Sequence, residues 1–395
     1  MVKIDKPVSY LLALYCMLMP FEEALASSLG SILRLVGMLL IVLIFWGYYN
    51  NGIFIHKFNS PIALWLIYMI ISVAWVSDFH WWAYFMRIYI VQIILLNMIE
   101  LVPIEYINLT IVENAMIMGG VLAAAILILF PTASGFTDEG RRTIMLLGTT
   151  LDPNVVASII LLGVQISLKR FFEKKYRRYI FLCLAIWLIL GVLFTGSRGA
   201  LIAFVSGFVV ELCMKLMRQG ERKKAISILG IALISVVAIR GFLPENLLET
   251  RFSASTILGL NEYKSGSHNR YTIWEHAFTL IKRNIIVGYG CGNFFSAIAT
   301  VYRTCASHNL YILLLVEGGV IGFGLFIYYI VSLLRNLRKY HDTSSIALLI
   351  TILVMSFSLD SITYKYFWMA LIYSRLMIRR HIWLEKIEEE SVCDE

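Results

Sequence analysis

The stretch that decides the fold carries four short polar motifs, Ser265-Gly-Ser-His-Asn-Arg270, Tyr271-Thr-Ile-Trp274, Gly288-Tyr-Gly-Cys-Gly292 and Ser307-His-Asn309. They belong to a polar segment, Phe242–Ser307, that interrupts an otherwise apolar chain. A connection of this length is expected to have structure of its own. The spacing of apolar residues from Tyr271 to Arg283 predicts an amphipathic helix, which lies on the membrane surface or packs on neighbouring helices.

The rest of the chain has the composition of a membrane protein. Of its 395 residues, 59% are hydrophobic and 15% are charged, whereas about 25% are charged in soluble domains. Apolar runs near the membrane-spanning length of about 20 residues recur throughout. The positive charges lie between these runs, where topology and anionic lipid explain them without nucleic acid. The six cysteines show no metal-binding spacing.

The apolar runs predict an all-α, polytopic membrane protein with about 12 transmembrane helices and a large outer loop. The expected helices are Ser9–Met19, Ser31–Tyr48, Ile62–Ser77, Trp81–Met98, Leu109–Phe130, Val155–Leu168, Tyr179–Phe194, Ala200–Leu216, Ile226–Ile239, Leu310–Leu333, Ser345–Leu359 and Tyr364–Met377.

Basic loops predict the orientation of these helices. Lys169–Arg178, Lys215–Lys224 and Arg335–Lys339 fall on one side of the membrane, together with both termini. Because lysine and arginine accumulate in cytoplasmic loops, that side is expected to be the cytoplasm. The outer face then carries Thr132–Asn154, Thr195–Gly199 and the long polar segment.

Arginines nevertheless gather toward the outer face, where topology disfavours them. A cation at the centre of a bilayer costs roughly 2.5–3.5 kcal/mol. Some of these side chains are explained by snorkelling to lipid headgroups. As a set they favour an anionic ligand, because guanidinium matches the oxygens of phosphate. The arginines in question are Arg34, Arg87, Arg198, Arg240, Arg251, Arg270, Arg283 and Arg303.

His308 is the candidate general base, since a histidine titrates near neutrality. It opens a helix that faces the polar segment. An equal alternative is that the histidine there only makes structural hydrogen bonds. Carboxylates at the outer ends of helices are the other candidates: Glu22, Glu23, Asp78, Asp152 and Asp360. The glycines of Gly288–Gly292 have the backbone freedom to cradle phosphate or to form a structural turn.

Taken together, the motifs resemble the O-antigen ligase and polymerase family of bacterial envelope enzymes. The resemblance covers Leu151–Leu333 and departs from the family at Ile285, where proline is frequent. It is carried by Asp152-Pro-Asn154, Thr195-Gly-Ser-Arg-Gly-Ala200, Arg270 with Trp274 and Gly288-x-Gly290, and Ser307-His-Asn-Leu-Tyr311 followed by Glu317-Gly-Gly-Val-Ile-Gly322.

The resemblance implies a multispan glycosyltransferase of the type C class, with a polyprenyl-diphosphate glycan as donor and without a metal or other cofactor. Arg198 and Arg270 would hold the diphosphate, and His308 would assist the acceptor hydroxyl. The core would comprise residues 151–333, between N-terminal helices (1–150) and C-terminal helices with a cytoplasmic tail (334–395). Further substrate contacts are expected from Arg87, Arg251, Ser197, Asn269, Trp274, Gly288, Gly290, Asn309 and Tyr311.

The motifs leave open whether the acceptor is another lipid-linked repeat unit or a lipid core. We favour a polymerase of O-antigen or capsular polysaccharide in the bacterial inner membrane, with an O-antigen ligase as the alternative. A chain-length regulator and membrane lipids are further expected partners. A lipid-glycan flippase is the competing class, but transporters place their sites near the midplane, whereas the unusual cations here gather at one face.

Overall fold

A computed structural model describes residues 5–29, 31–51, 60–130, 132–133, 141–173, 177–217, 226, 245 and 270–393. The predicted helix Ile226–Ile239 and the larger part of Phe242–Arg270 lie outside these residues. Within them the chain is mainly helical. The helices are α1 (Asp5–Leu18), α2 (Glu22–Leu29), α3 (Ile32–Asn51), α4 (Ser60–Ile71), α5 (Phe79–Leu101), α6 (Leu109–Leu129), α7 (Pro153–Glu173), α8 (Arg178–Phe194), α9 (Arg198–Leu216), α10 (Arg270–Arg283), α11 (Phe294–Ala299), α12 (Leu310–Lys339), α13 (Thr343–Met355) and α14 (Lys365–Cys393).

Six segments of the described chain are long and apolar enough to cross a membrane. They are Lys6–Ala26, Phe79–Leu101, Leu109–Leu129, Pro153–Glu173, Arg198–Leu216 and Leu310–Lys339. Four shorter apolar helices accompany them: Ile32–Gly47, Pro61–Ala74, Arg178–Phe194 and Thr343–Met355. The chain is therefore a multi-pass helical membrane protein, and the total of about 12 spans stays a prediction.

Helix α7 lies at the centre of the bundle, because the whole of its apolar stretch is buried. It packs against α6, α8 and α13. At Gly191 of α8 a side chain would come within 3.0 Å of the Ala124 Cα atom of α6, so this crossing requires glycine. The N-terminus of this rigid central helix carries the Asp152-Pro-Asn154 motif.

The predicted basic loop Lys169–Arg178 is partly wrong, because its first residues form the last turn of α7. Lys169 and Arg170 are buried within the helix, which runs to Glu173 instead of ending at Leu168. Glu113 of α6 forms ion pairs with both cations, and Lys169 Nζ also donates to the Tyr373 hydroxyl at 2.6 Å. Paired and hydrogen-bonded charges of this kind are tolerated in an interior.

Several other boundaries differ from the prediction. Helix α12 continues to Lys339 and α14 to Cys393, so Arg335–Lys339 and the segment after Met377 are helical rather than loop and tail. The predicted helix Ile62–Ser77 is shorter, because α4 ends at Ile71 and a 3₁₀ turn, Ser72–Ala74, follows. Helices α12 and α14 continue because arginine and lysine, which suggested loops, are themselves good helix formers.

The loop before α7 contains short strands that the all-α prediction missed. Strands β1 (Thr132–Ala133) and β2 (Arg142–Thr143) pair antiparallel, as do β3 (Met145–Leu146) and β4 (Thr149–Thr150). Leu147 and Gly148 form the tight turn of the second pair, both with positive φ.

The amphipathic helix predicted from Tyr271 to Arg283 is confirmed as α10. Its buried side chains are Ile273, Ala277, Leu280 and Ile281. The helix packs against α12, as one of the two predicted alternatives requires. Phe278, which the periodicity assigned to the apolar face, is instead 51% exposed, because the buried stripe runs through Leu280.

Candidate active site

His308 lies in a tight turn at the start of α12 and has a left-handed backbone conformation, with φ 50°. The residue after it, Asn309, caps the helix by accepting from the Tyr311 and Ile312 N–H groups at 3.0 and 3.2 Å. Asp360 Oδ1 accepts from the Asn309 N–H at 2.9 Å and from the Ser307 hydroxyl. Both neighbours of His308 are therefore fixed by one carboxylate.

Trp274 connects α10 to the same turn. Its indole Nε1 donates to the Ser307 carbonyl at 3.0 Å. Arg270 begins α10 one turn before Trp274, so this contact brings the guanidinium toward His308. The Arg270-Trp274 and Ser307-His-Asn309 motifs are thus parts of one site.

The surroundings of His308 favour its neutral form. Burial of the imidazole, followed by the nearby Arg270 guanidinium, lowers the pKa of His308 below its usual 6.5. The carboxylates of Asp360 and Asp152 act in the opposite direction without reversing the shift. A neutral imidazole at pH 7 is able to accept a proton, as a general base must.

The Asp152-Pro-Asn154 motif forms the turn that starts α7. Asp152 Oδ1 accepts from the Asn154 N–H at 2.7 Å and from its side-chain amide at 3.0 Å. Arg141 then bridges two motifs, since it donates to Asn154 Oδ1 at 3.2 Å and to the Thr195 carbonyl at 3.0 Å. Arg141 was missed by the sequence reasoning, although its place in the outer loop Thr132–Asn154 was a signal of the same kind as for the other arginines.

The Thr195–Gly199 motif is a turn that opens α9. Gly196 has φ 64°, and the Ser197 side chain caps the helix by accepting from the Ala200 N–H at 3.3 Å. A side chain at Gly199 would come within 2.9 Å of the Ser358 Cβ atom. The Leu310 N–H donates to the Ser356 carbonyl at 2.9 Å. Segment 356–360 therefore contacts both the Thr195–Gly199 turn and the start of α12.

The glycine-rich motif Gly288–Gly292 packs against a break in α12. Gly319 has φ 58° and interrupts the helix. The Tyr289 and Gly290 N–H groups donate at 2.8 Å to the Val316 and Glu317 carbonyls, and the Gly288 N–H donates to Asn284 at 3.2 Å. These contacts give the motif a structural role, and substrate binding by Gly288 and Gly290 stays a prediction.

The same loop is anchored to the N-terminal end of α5. Asn293 Oδ1 accepts from the Asp78 N–H at 2.9 Å and from the Ser77 hydroxyl at 2.9 Å. The Trp81 and Phe295 rings stack with centroids 4.9 Å apart. Asp78, a predicted candidate base, caps α5 through the His80 and Trp81 N–H groups and accepts from the Ser296 hydroxyl. Its contacts are those of a structural residue.

The remaining predicted contacts are more scattered. Arg87 lies on an exposed part of α5, where its Nε donates to the Ala83 carbonyl of the same helix at 3.3 Å. The Tyr311 hydroxyl donates to the Leu353 carbonyl at 2.7 Å and so joins α12 to α13. Arg251 and Asn269 lie outside the described residues. Substrate contacts by all four stay predictions.

A small cavity lies between the first helices, the start of α7 and the start of α14. Glu22, Glu23, Leu151, Tyr364 and Lys365 contribute to its lining. Glu22 forms an ion pair with Lys365. Two of the carboxylates considered as bases therefore line this cavity, with Leu151 joining it to the Asp152 turn.

Cys291 and Cys305 are free thiols. Among the described residues, no group of three or more histidine, cysteine or acidic side chains is placed to hold a metal ion. The side chains that the described part of the site offers to a substrate are cations, an imidazole and carboxylates.

Comparison with known proteins gives one family. The model of the O-antigen ligase family matches residues 183–327, which include Arg198, Arg270 and His308. No curated protein matches the chain. Asp152 and Asp360, which the fold brings to the same site, lie outside the matched range. Residues 183–327 are thus similar to the O-antigen ligase family, and the resemblance inferred from the motifs is confirmed over this range.

Proposed function

We propose that the protein transfers a glycan from an undecaprenyl-diphosphate-linked donor to the hydroxyl of an acceptor sugar at the outer face of the bacterial inner membrane. The family implies glycosyltransferase activity of the ligase or polymerase type. The observation that carries the finer proposal is the meeting of Arg270, Asp360 and Asp152 around His308. A cation, a neutral imidazole and carboxylates in one place provide for charge stabilisation and proton transfer.

In the proposed reaction, the acceptor oxygen attacks the anomeric carbon of the donor. A new glycosidic carbon–oxygen bond forms as the bond between that carbon and the phosphate oxygen breaks. The acceptor proton passes to the neutral His308 imidazole, and the bonding electrons leave with undecaprenyl diphosphate. Diphosphate is a good leaving group, so positioning and charge stabilisation are the main requirements.

Arg198 and Arg270 are the proposed ligands of the diphosphate. Arg198 is the first residue of α9, and its backbone lies where a helix N-terminus favours anions. Arg270 occupies the corresponding place in α10. Two guanidinium groups at two helix starts provide the forked donors that phosphate oxygens accept.

Asp360 is proposed to position His308 rather than to accept the proton itself. Its Oδ1 is already engaged by the Asn309 N–H and the Ser307 hydroxyl. The carboxylate also opposes the effect of Arg270 on the His308 pKa and so keeps the imidazole basic enough to accept a proton.

Among acceptors we favour a second lipid-linked repeat unit, which makes the protein an O-antigen or capsular polysaccharide polymerase. Transfer to a lipid A-core is the ligase alternative, and the description of the matching family is that of a ligase. A chain-length regulator is a proposed partner of the polymerase only. The proposed orientation places both termini in the cytoplasm, and the proposed core comprises residues 151–333.

The acceptor is tested with purified protein and an undecaprenyl-diphosphate repeat unit, with and without lipid A-core. A polymerase yields a ladder of longer lipid-linked glycans when the repeat unit is the only substrate. A ligase yields product only when lipid A-core is added. His308→Ala and Arg198→Lys serve as low-activity controls in both arms. Absence of product in every arm with the wild type contradicts the proposed transfer.

A further inference from the structure

Arg303 lies in the loop between α11 and α12, and its Nε is buried without a hydrogen-bond partner in the described part of the chain. Other arginines of the outer face use this atom. Arg141 Nε donates to the Thr195 carbonyl, and Arg87 Nε donates to the Ala83 carbonyl. A buried donor without an acceptor costs about 1–3 kcal/mol, and more when it is charged. Arg170 Nε is also buried without a partner, but the Glu113 carboxylate neutralises that guanidinium. The unpartnered Nε of Arg303 therefore needs an explanation of its own.

Aromatic rings fix the position of Arg303. Its guanidinium carbon lies 5.4 Å from the centre of the Tyr302 ring. Tyr302 in turn stacks on His276 of α10, with centroids 4.8 Å apart and an interplanar angle of 15°. Because α10 also carries Arg270 and Trp274, the stack joins Arg303 to the helix that forms one side of the candidate active site.

Arg303 also lies close to the Asp360 end of that site. Burial raises the pKa of the Cys305 thiol, Arg303 lowers it, and Asp360 raises it further, so both charges lie near this cysteine. Asp360 accepts from both residues that flank His308. The unused donor of Arg303 is thus near the proposed reaction centre and outside the turns that carry Arg198 and Arg270.

The guanidinium Nε–H and an adjacent N–H form an edge that matches two oxygens of a phosphate or a carboxylate. We propose that Arg303 binds an oxyanion of the glycan substrate, either a phosphate of the carrier lipid or the carboxylate of an acidic sugar. The Tyr302 ring provides a flat surface next to that cation. This inference rests on the proposed function and adds a third cationic contact to the same site.

The experiment measures binding to purified protein in detergent, so that it does not depend on turnover. The charged probes are undecaprenyl diphosphate and cellobiouronic acid, and the matched uncharged probes are undecaprenol and cellobiose. Arg303→Gln removes the charge, and Arg303→Lys keeps the charge but loses the fork. Lys282→Gln is the control, since it removes an exposed positive charge from the last turn of α10.

We expect Arg303→Gln to weaken the binding of one charged probe by about tenfold to a hundredfold, the effect of losing hydrogen bonds to a charged group. The affected probe identifies the oxyanion as lipid phosphate or as sugar carboxylate. Arg303→Lys is expected to fall between Arg303→Gln and wild type. The uncharged probes and Lys282→Gln should show wild-type affinity. Melting temperatures verify folding, and Arg303→Lys decides the outcome if Arg303→Gln does not fold.

Wild-type affinity of Arg303→Gln, or of Arg303→Lys if the first variant is unfolded, for both charged probes would overturn the inference. If Arg198→Lys then still weakens the binding of undecaprenyl diphosphate, the proposed function stands without Arg303. If wild-type protein binds neither charged probe, both the inference and the proposed donor are wrong.

Discussion

Asp360 offers the most informative substitution, because one oxygen of its side chain fixes both neighbours of His308. Asp360→Ala removes two hydrogen bonds to a charged group, each worth about 1.5–3 kcal/mol, or about 3–6 kcal/mol together. The left-handed backbone of His308 costs only about 1–2 kcal/mol. Since the bonds outweigh the strain, their loss should release the turn and displace the imidazole.

Turnover of Asp360→Ala is expected to fall by about 10²–10⁴-fold, the contribution of a positioned general base. Asp360→Asn keeps the Oδ1 acceptor that takes both bonds, so its rate should stay within about tenfold of wild type. The assay measures initial rates of glycan transfer at saturating donor, with melting temperatures recorded for each variant. An equal, severe loss in both variants would mean that the charge of Asp360, and not its position, is what catalysis requires.

Asp342 provides the matched control at the other end of α13. It accepts from the Ser345 N–H at 3.0 Å and from the Ser345 hydroxyl at 2.8 Å, so Asp342→Ala also removes two bonds to a carboxylate, together with the 3.3 Å contact between Asp342 Oδ2 and His381 Nε2. It should lower the melting temperature by a comparable amount and leave the rate per folded molecule unchanged. Wild-type turnover of Asp360→Ala, or an equal loss in Asp342→Ala, would refute the positioning of His308 by Asp360.

Four further predictions concern the same site. Turnover plotted against pH should rise with a midpoint below the usual histidine pKa of 6.5. In Arg270→Gln the residual turnover should rise at a higher pH, because a cation that lowers the His308 pKa is gone. If the midpoint does not move, a group other than His308 is titrating. Arg198→Lys should lose most activity at normal membrane abundance, since lysine lacks the fork, and full activity in both Arg198→Lys and Arg198→Ala would reduce the residue to a lipid anchor. Gly288→Ala should lower the melting temperature, because φ is 68° and a side chain would approach the Glu317 carbonyl at 2.5 Å, whereas Gly324→Ala on α12 meets nothing within 4 Å and should not. Activity should survive EDTA, and its loss with rescue by Mg²⁺ would direct attention to Asp152 and Asp360.

The sequence was sufficient to predict the membrane class and the motifs that form the site. Long hydrophobic runs predict transmembrane helices, because a helix that crosses lipid must be apolar along its length. The motif that carries His308 was identifiable because its polar residues interrupt such runs. The amphipathic helix α10 was predicted to within one residue of its start from the spacing of its apolar residues.

Other features depend on contacts between distant residues, which a single sequence does not reveal. Lys169 was assigned to a loop because its partners, Glu113 and Tyr373, come from other helices. The role of Asp360 arises from a contact with Ser307, more than fifty positions away. The glycines after Asn284 left a phosphate cradle and a structural turn as alternatives, and contacts of their amides with the broken helix α12 give them a structural role. In each case the partner, and not the local pattern, determines the outcome.

The central claim is that the protein forms glycosidic bonds at the expense of a polyprenyl diphosphate. The most direct test incubates purified protein with an undecaprenyl-diphosphate oligosaccharide in EDTA and quantifies all products by mass spectrometry. We expect one molecule of undecaprenyl diphosphate to be released for each new glycosidic bond. His308→Ala should form both products only at its reduced rate. Movement of the intact donor across proteoliposomes, with no diphosphate released and no new bond formed, would contradict the claim and identify a transporter.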